Sequence, residues 1–339
     1  NMKNNLFIIT NESIYNDRNE NYLCDNIDLK SIPEELNKFS RVTIVGRNSK
    51  KKKSKKIDLK SIKTSKNILS YLIVIYKSFK NNNVDYLIIS LSPFTFLASL
   101  LLKFFSKKHF IYLRSNGYEE YKSIFGFIGP FIYYFMFKLG IKGSQLISCR
   151  KHLLRGNKGT IVSPSQLNEN WFKEEIKINP NKVKLLYVGR IRVEKGIFSL
   201  LNILKGSQIE LTIITAEKTN ILKEKSENIK LIFYENYKDS IIKFYDEHSI
   251  FILPSFTEAH PQVVDEALAR SRPVIVFKDI EHVKRDREGI FSCERNLKSL
   301  KETIQYINNN YDVIIGKIKK NKLPTKGNFI NELKKIIFN

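Results

Sequence analysis

The segment Ile252–Val276, ILPSFTEAHPQVVDEALARSRPVIV, constrains the fold of this 339-residue chain more than any other. An apolar run enters a polar turn, Pro254-Ser255-Phe256-Thr257, and the acid Glu258 stands in that turn. Pro261 suits the first helical position, where its missing N–H costs nothing. Residues 261–270 then read as a short helix, with Val263, Val264, Ala267 and Leu268 on the buried face and Glu266 on the other side. Arg272-Pro273 stops it, and Val274-Ile275-Val276 is the next strand. Strand, acid-bearing turn, helix, strand is a parallel α/β unit. Its loop lies at the carboxyl end of a strand, where open α/β sheets bind ligands.

The two acids suggest a geometry. Glu258 sits just before the helix and Glu266 lies roughly 7–8 Å along its axis. A helix N-terminus attracts phosphate through its unpaired N–H groups and its dipole. A nucleotide diphosphate resting there would offer ribose hydroxyls to Glu266 and a sugar to Glu258. The plain alternative is a solvated helix with two unrelated acids, and the strand–turn–helix setting weighs against it.

A second segment, Lys184–Leu204, reads KLLYVGRIRVEKGIFSLLNIL. The strand Lys184–Val188 ends at Gly189 and Arg190, and the turn Arg192–Gly196 leads into an apolar-periodic helix. Gly189 allows close backbone approach. Arg190 and Lys195 put two cations at the carboxyl end of another strand, where Arg binds phosphate bidentately and Lys acts as a point charge. Ordinary solvated basic residues are the default in so basic a chain, but that default does not explain why both cations fall in one strand–helix turn.

Gly189-Arg190-Ile191…Glu194-Lys195-Gly196, then Tyr245-Asp246-Glu247, Leu253-Pro254-Ser255, Glu258…Glu266-Ala267 and Pro273-Val274-Ile275 together resemble the carboxyl-terminal domain of family 4 retaining glycosyltransferases. The resemblance is close over 184–280 and architectural over 1–180. It implies the GT-B fold: α/β, with two Rossmann-like doubly wound domains facing a cleft. It implies that Arg190 and Lys195 hold the donor diphosphate, that Glu258 contacts the donor sugar and that Glu266 holds the ribose. One departure stands out. The family usually carries Gly-Phe-Gly after the first Glu, and this chain has Ala259-His260-Pro261. The loss of those glycines implies an altered donor pocket, with His260 offering a side-chain donor in their place.

The length allows two domains, each able to bury its own core. The expected division is 1–165 for an acceptor-side domain, 180–323 for the nucleotide-sugar donor domain, and 324–339 for a closing amphipathic helix, with 162–180 as the connection. Strands are expected at Leu6–Thr10, Arg41–Val45, Tyr86–Ser90, His109–Leu113 and Gln145–Ser148, with helices near 66–80, 94–105 and 118–140. The second half repeats the pattern at Lys184–Val188, Glu210–Thr215, Lys230–Tyr234, Ser249–Leu253 and Pro273–Phe277. Such alternation predicts mostly parallel sheets. Arg114 and Asn116 follow the strand His109–Leu113 and are weaker candidates for holding the sugar or the acceptor. An Asn-Gly turn explains them equally well.

Cys24, Cys149 and Cys293 form no metal or disulfide pattern, which fits a reducing cytoplasm. The N-terminus reads as a strand rather than a secretory leader. A net charge of +24 points to anionic partners. The run Lys50–Lys56 lacks interleaved aromatics, and no nucleic-acid motif accompanies it, so nucleic acid is not the expected partner. Part of the lysine excess matches an A/T-biased genome. Pro93–Phe105 and Phe125–Ile141 are apolar and aromatic, and neither reaches the roughly 18–20 uninterrupted residues of a spanning helix. Two readings of them stand: a helix lying in the interface of an anionic leaflet, or the core of the first domain. Asp286-Arg287-Glu288 has the spacing of an acidic metal motif but follows no strand. No metal and no cofactor is expected.

The expected function is transfer of a sugar from a nucleotide-sugar donor, with retention, to a glycan or lipid-linked acceptor of bacterial surface polysaccharide synthesis. The expected location is the cytoplasm, with peripheral attachment to the membrane's inner face as an option. The alternatives are a nucleotide-sugar epimerase of the same fold and a non-catalytic basic protein that binds anionic membrane or nucleic acid.

Overall fold

The computed structural model describes residues 5–17, 21–81, 83–173, 182–216, 227–234 and 241–338. They group into two compact units, 1–163 with 327–339, and 164–326. The connection expected at 162–180 falls partly outside the described residues.

The strands of the first unit are β1 (Asn5–Asn16), β2 (Tyr22–Cys24), β3 (Arg41–Asn48), β4 (Lys55–Ile57), β5 (Ile62–Ser65), β6 (Val84–Ile89), β7 (His109–Leu113), β8 (Gln145–Ser148) and β9 (Thr160–Ile161). Its parallel sheet runs β5-β3-β1-β6-β7-β8-β9. Leu6, Ile8, Leu87, Phe110 and Ile147 are fully buried, as expected of strands covered on both faces. Its helices are α1 (Ile27–Leu36), α2 (Ile68–Ser78), α3 (Pro93–Phe104), α4 (Gly117–Phe125) and α5 (Gly129–Gly140). Asn67 caps α2 reciprocally with Ser70, and Pro93 opens α3 where a missing N–H is harmless. The carboxyl-terminal helix Lys326–Phe338 places Phe329, Ile330, Leu333 and Ile337 in this unit's core beside Leu6, Ile8 and Ile32.

Two local expectations change. The lysine run is not all solvated loop: Lys55–Ile57 is β4, paired antiparallel with β2, and Lys53 bonds Asp25 at 2.7 Å. Lys side chains on an exposed edge hide a strand from pattern reading. The helix expected over 118–140 is two helices joined by a tight turn at Gly126–Ile128, within a run Gly117–Gly140 of 24 residues.

The second unit carries β10 (Lys184–Val188), β11 (Glu210–Thr215), β12 (Ile229–Phe233), β13 (Ile250–Leu253), β14 (Val274–Phe277) and β15 (Ile290–Cys293) in one parallel sheet, ordered β12-β11-β10-β13-β14-β15. The helices are α6 (Ile197–Leu204), α7 (Ile242–Asp246), α8 (Gln262–Ala269), α9 (Leu297–Asn309) and α10 (Tyr311–Ile318). Strand order reverses between β10 and β13, which makes their carboxyl ends the topological switch point of this sheet. The three cysteines are buried and free.

Candidate functional site

The two motif-bearing loops leave the carboxyl ends of β10 and β13, side by side at the switch point. They are joined by three contacts. Phe256 donates its amide to the Glu194 carbonyl at 3.0 Å. Gly196 lies against Pro254: it has φ +66°, and a Cβ there would come within 1.9 Å of the Pro254 carbonyl oxygen. Only glycine satisfies both conditions. Lys195 Nζ then reaches Glu258 Oε1 at 2.6 Å, and Ser255 Oγ donates to the same oxygen at 2.7 Å. Lys195 and Glu258 are mostly buried, so the pair sits where water screens it weakly.

Arg295 holds the second loop from behind. Its guanidinium lies 4.1 Å from the ring centroid of Phe256 and 4.3 Å from that of Phe277, and it donates to the carbonyls of Pro254 and Ser255. Asp279 accepts from it at 2.6 Å. The sequence gives no hint of this residue, because its partners are brought together only by the fold.

Glu266 lies on α8 beside Tyr245, which is fully buried at the end of α7 and donates its hydroxyl to Glu266 Oε2 at 2.7 Å. Burial pushes the Glu266 carboxyl up to about 7, with the Asp265 charge adding to the rise and the Tyr245 hydrogen bond opposing it. The Tyr245 ring meets Trp171 edge-on at 5.5 Å. Its backbone is held by the buried Arg272, whose Nε donates to the Tyr245 carbonyl at 2.7 Å. Next to it, Asp246 forms a two-pronged pair with Arg270 at 2.8 and 3.0 Å, and Arg270 also donates to the carbonyls of Trp171 and Lys173. A chain of buried polar groups therefore fixes the Glu266 carboxylate.

Asp265, unnoticed in the sequence, is buried in the first turn of α8 and pairs with Arg287. That bond turns the Asp286-Arg287-Glu288 motif to a structural use. His260 is likewise engaged. Its Nε2 lies 2.8 Å from the Pro164 carbonyl and 3.5 Å from Asp265, and Nδ1 faces Arg285 at 3.2 Å. Both of its ring nitrogens thus have partners within the protein. Pro261 is the residue before α8 rather than its first residue.

Gly189 follows β10, and a Cβ there would come within 2.7 Å of the Tyr187 hydroxyl. Tyr187 donates that hydroxyl to the Arg190 carbonyl at 2.7 Å, which leaves the Arg190 side chain exposed. Arg114, in the first unit, lies 3.3 Å from Asp28, and Asn116 is the residue before α4, with no side-chain cap bond. The structure thus brings Lys195 and Glu258 into contact and sets Gly189 and Arg190 in the same loop as Lys195. Glu266 lies on the helix that follows the Glu258 loop.

Residues 168–322 match the family model described as glycosyl transferases group 1. The capsular polysaccharide biosynthesis glycosyltransferase CapM of Staphylococcus aureus is 28% identical over 184 residues, which are 47% of this chain and 48% of CapM. The chain thus aligns with about half the length of this curated relative. Among solved structures, Anabaena Alr3699/HepE in complex with UDP and glucose superposes with TM-score 0.71 at 10% identity, covering 99% of this chain and 100% of that one. Sucrose-phosphate synthase from Thermosynechococcus elongatus superposes with TM-score 0.67 at 13% identity, covering 99% and 95%. Over residues 168–322 this chain is similar to the glycosyl transferases group 1 family, and the chain as a whole has the GT-B fold.

Proposed function

We propose that this chain is a retaining glycosyltransferase that moves a sugar from a nucleotide-sugar donor to a glycan or lipid-linked acceptor in the assembly of a bacterial surface polysaccharide. The observation that carries the reading is the pair of joined loops at the switch point, where the Lys195–Glu258 contact closes over Gly196. Support comes from CapM, named for capsular polysaccharide biosynthesis, and from HepE, which was solved with UDP and glucose.

In this reading, Arg190, Lys195 and the N-terminal end of α8 stabilise negative charge on the leaving diphosphate as the glycosidic bond breaks. No divalent cation is assigned to that step. Lys195 is paired with Glu258 before a donor arrives. A donor phosphate would compete for the ammonium group, leaving Glu258 to orient the sugar and to face the positive charge growing at its anomeric carbon. Glu266 accepts from the ribose, aimed by Tyr245. No residue is assigned as general base; the leaving phosphate takes the acceptor's proton.

The test is product analysis with a panel of nucleotide sugars and glycan or lipid-linked acceptors. The expected outcome is acceptor-dependent transfer that survives excess chelator, with the new linkage in the donor's anomeric configuration. Sugar interconversion without acceptor would identify an epimerase instead. Thermal shift with no response to any nucleoside diphosphate would remove the donor site altogether.

A further inference from the structure

The helices α4 and α5 form a hairpin whose tip and α5 outer face are largely hydrocarbon, while the first turns of α4 expose Glu119, Glu120, Lys122 and Ser123. The chain reverses at Gly126, with φ +61°. The two arms touch along their length: Tyr118 and Tyr121 of α4 lie 4.9 and 5.3 Å, centroid to centroid, from Tyr133 of α5. Close approach is built in at both ends. A Cβ on Gly117 would enter the Tyr133 ring, and one on Gly129 would strike the Tyr121 carbonyl. Although 117–140 is long and apolar enough to cross a membrane, its reversal makes each arm too short to do so.

The inner face of α5, with Tyr133, Met136, Phe137 and Gly140, is buried. Its outer face should then be polar. Instead Phe131, Ile132, Phe135 and Leu139 are exposed, and the turn adds Ile124, Phe125, Phe127 and Ile128. Phe127, at the tip, is 82% exposed. So continuous an apolar surface marks a contact with another phase or molecule.

Charge selects the occupant. Residues 86–168 contain two acids, Glu119 and Glu120, against eleven Lys and Arg. Lys122 and Lys138 are exposed on the hairpin itself, and Lys142 and Lys103 are exposed on the adjoining segments. A second copy would bring the same positive field against itself. An anionic bilayer answers both features: its headgroups attract the lysines and its acyl boundary accepts the phenyl rings.

We propose that the α4–α5 hairpin is a membrane-insertion element, with Phe127, Phe131 and Phe135 entering the acyl boundary of an anionic leaflet and Lys122, Lys138 and Lys142 seated among its headgroups. This assignment stands on the first unit alone and is independent of the transfer reading.

The test is flotation of the full chain with vesicles of phosphatidylcholine, with and without phosphatidylglycerol, across salt concentration. Wild-type protein should float with the anionic vesicles, and a fraction should stay bound at high salt. Combined Phe127→Ser, Phe131→Ser and Phe135→Ser should abolish the salt-resistant fraction and lower low-salt partitioning at least tenfold, with the far-UV spectrum unchanged. Lys122→Ser, Lys138→Ser and Lys142→Ser together should weaken low-salt binding and spare the preference for inserted rings. Phe127→Trp adds a direct probe, because the chain's own Trp171 is already buried: the new indole's emission should shift to the blue on anionic vesicles. The proposal is overturned by failure to float at low salt, by complete release with salt, by unshifted emission from the Phe127→Trp variant, or by a dimer that the triple Phe variant dissociates.

Discussion

The two units solve the same architectural problem with opposite residuals. The second buries charge: Asp246, Asp265, Arg270 and Arg272 all lie inside it. The first leaves hydrocarbon outside, along α2 to α5, where Leu69, Phe104, Phe127 and Phe135 face solvent. Neither choice favours folding. Buried ions give up hydration, and exposed rings forgo burial worth about 1.5–3 kcal/mol each. Departures of this kind concentrate where a fold has something other than stability to do. In the second unit the buried ions gather around α8, which carries Glu266 and follows the Glu258 loop. In the first, Phe127, Phe131 and Phe135 gather on the α4–α5 hairpin, while Phe104 stands on α3.

The largest expected effect tests the buried ions. Asp246→Ala leaves Arg270 and Arg272 charged and without their carboxylate, and it should destabilise the second unit by about 3–5 kcal/mol in urea unfolding. A loss under about 1 kcal/mol would show that water reaches the network, and the contrast between the units would collapse.

Next is Gly196→Ala, which introduces both a positive-φ strain and a clash with Pro254. It should push the two loops apart and cut donor-dependent turnover more than tenfold, equivalent to about 1.4 kcal/mol or more. Gly206→Ala serves as the control: it has a similar positive φ but open space around it, so it bears the strain without the clash. Equal effects from the two would deny Gly196 its role as a spacer.

The third concerns Glu266, whose carboxyl is raised from 4.5 to about 7. Below pH 4.5 the group is protonated whether the chain is folded or not. Between 4.5 and 7 the folded chain keeps a proton that the unfolded chain has lost, so stability falls as pH rises through that window. Glu266→Gln should remove this slope and be the more stable form at pH 8, by at most about 3 kcal/mol, while losing affinity for nucleotide. Parallel stability–pH curves for the two proteins would show the carboxylate to be solvated.

The smallest effect is that of Phe131 on α5, where neighbours should behave oppositely. Phe131→Ser should change folding stability by no more than about 0.5 kcal/mol, whereas Tyr133→Ser, inside the hairpin, should cost about 3 kcal/mol or more. Similar losses at both positions would mean that the outer face is covered within the protein.

Much of this architecture was legible in the chain because parallel strands covered on both faces are short apolar runs, and Leu185–Tyr187 or Ile252–Leu253 can hardly be anything else. Lys55–Ile57 escaped notice because an edge strand carries lysines freely. The site divides in the same way. Lys195 and Glu258 were visible because each sits in a turn between a strand and a helix. Their contact, and the support from Arg295, depends on long-range folding that no local pattern encodes, as does the bond from Tyr245 to Glu266. The bond between His260 and the Pro164 carbonyl was hidden for the same reason, the two being remote in sequence. The bond from Tyr245 to Glu266 was not foreseen, because helical periodicity places a residue on a face without saying what a neighbouring helix brings to that face.

The three cysteines have a practical consequence. Burial raises the thiols of Cys149 and Cys293 to about 11 and that of Cys24 to about 12. Alkylation proceeds through the thiolate, so at neutral pH all three should be nearly inert toward maleimides. A single cysteine introduced at an exposed position, such as Phe127→Cys or Val313→Cys, would therefore label selectively without removal of the native thiols. The natural chain is already a background for attaching a fluorophore or a spin label to either unit.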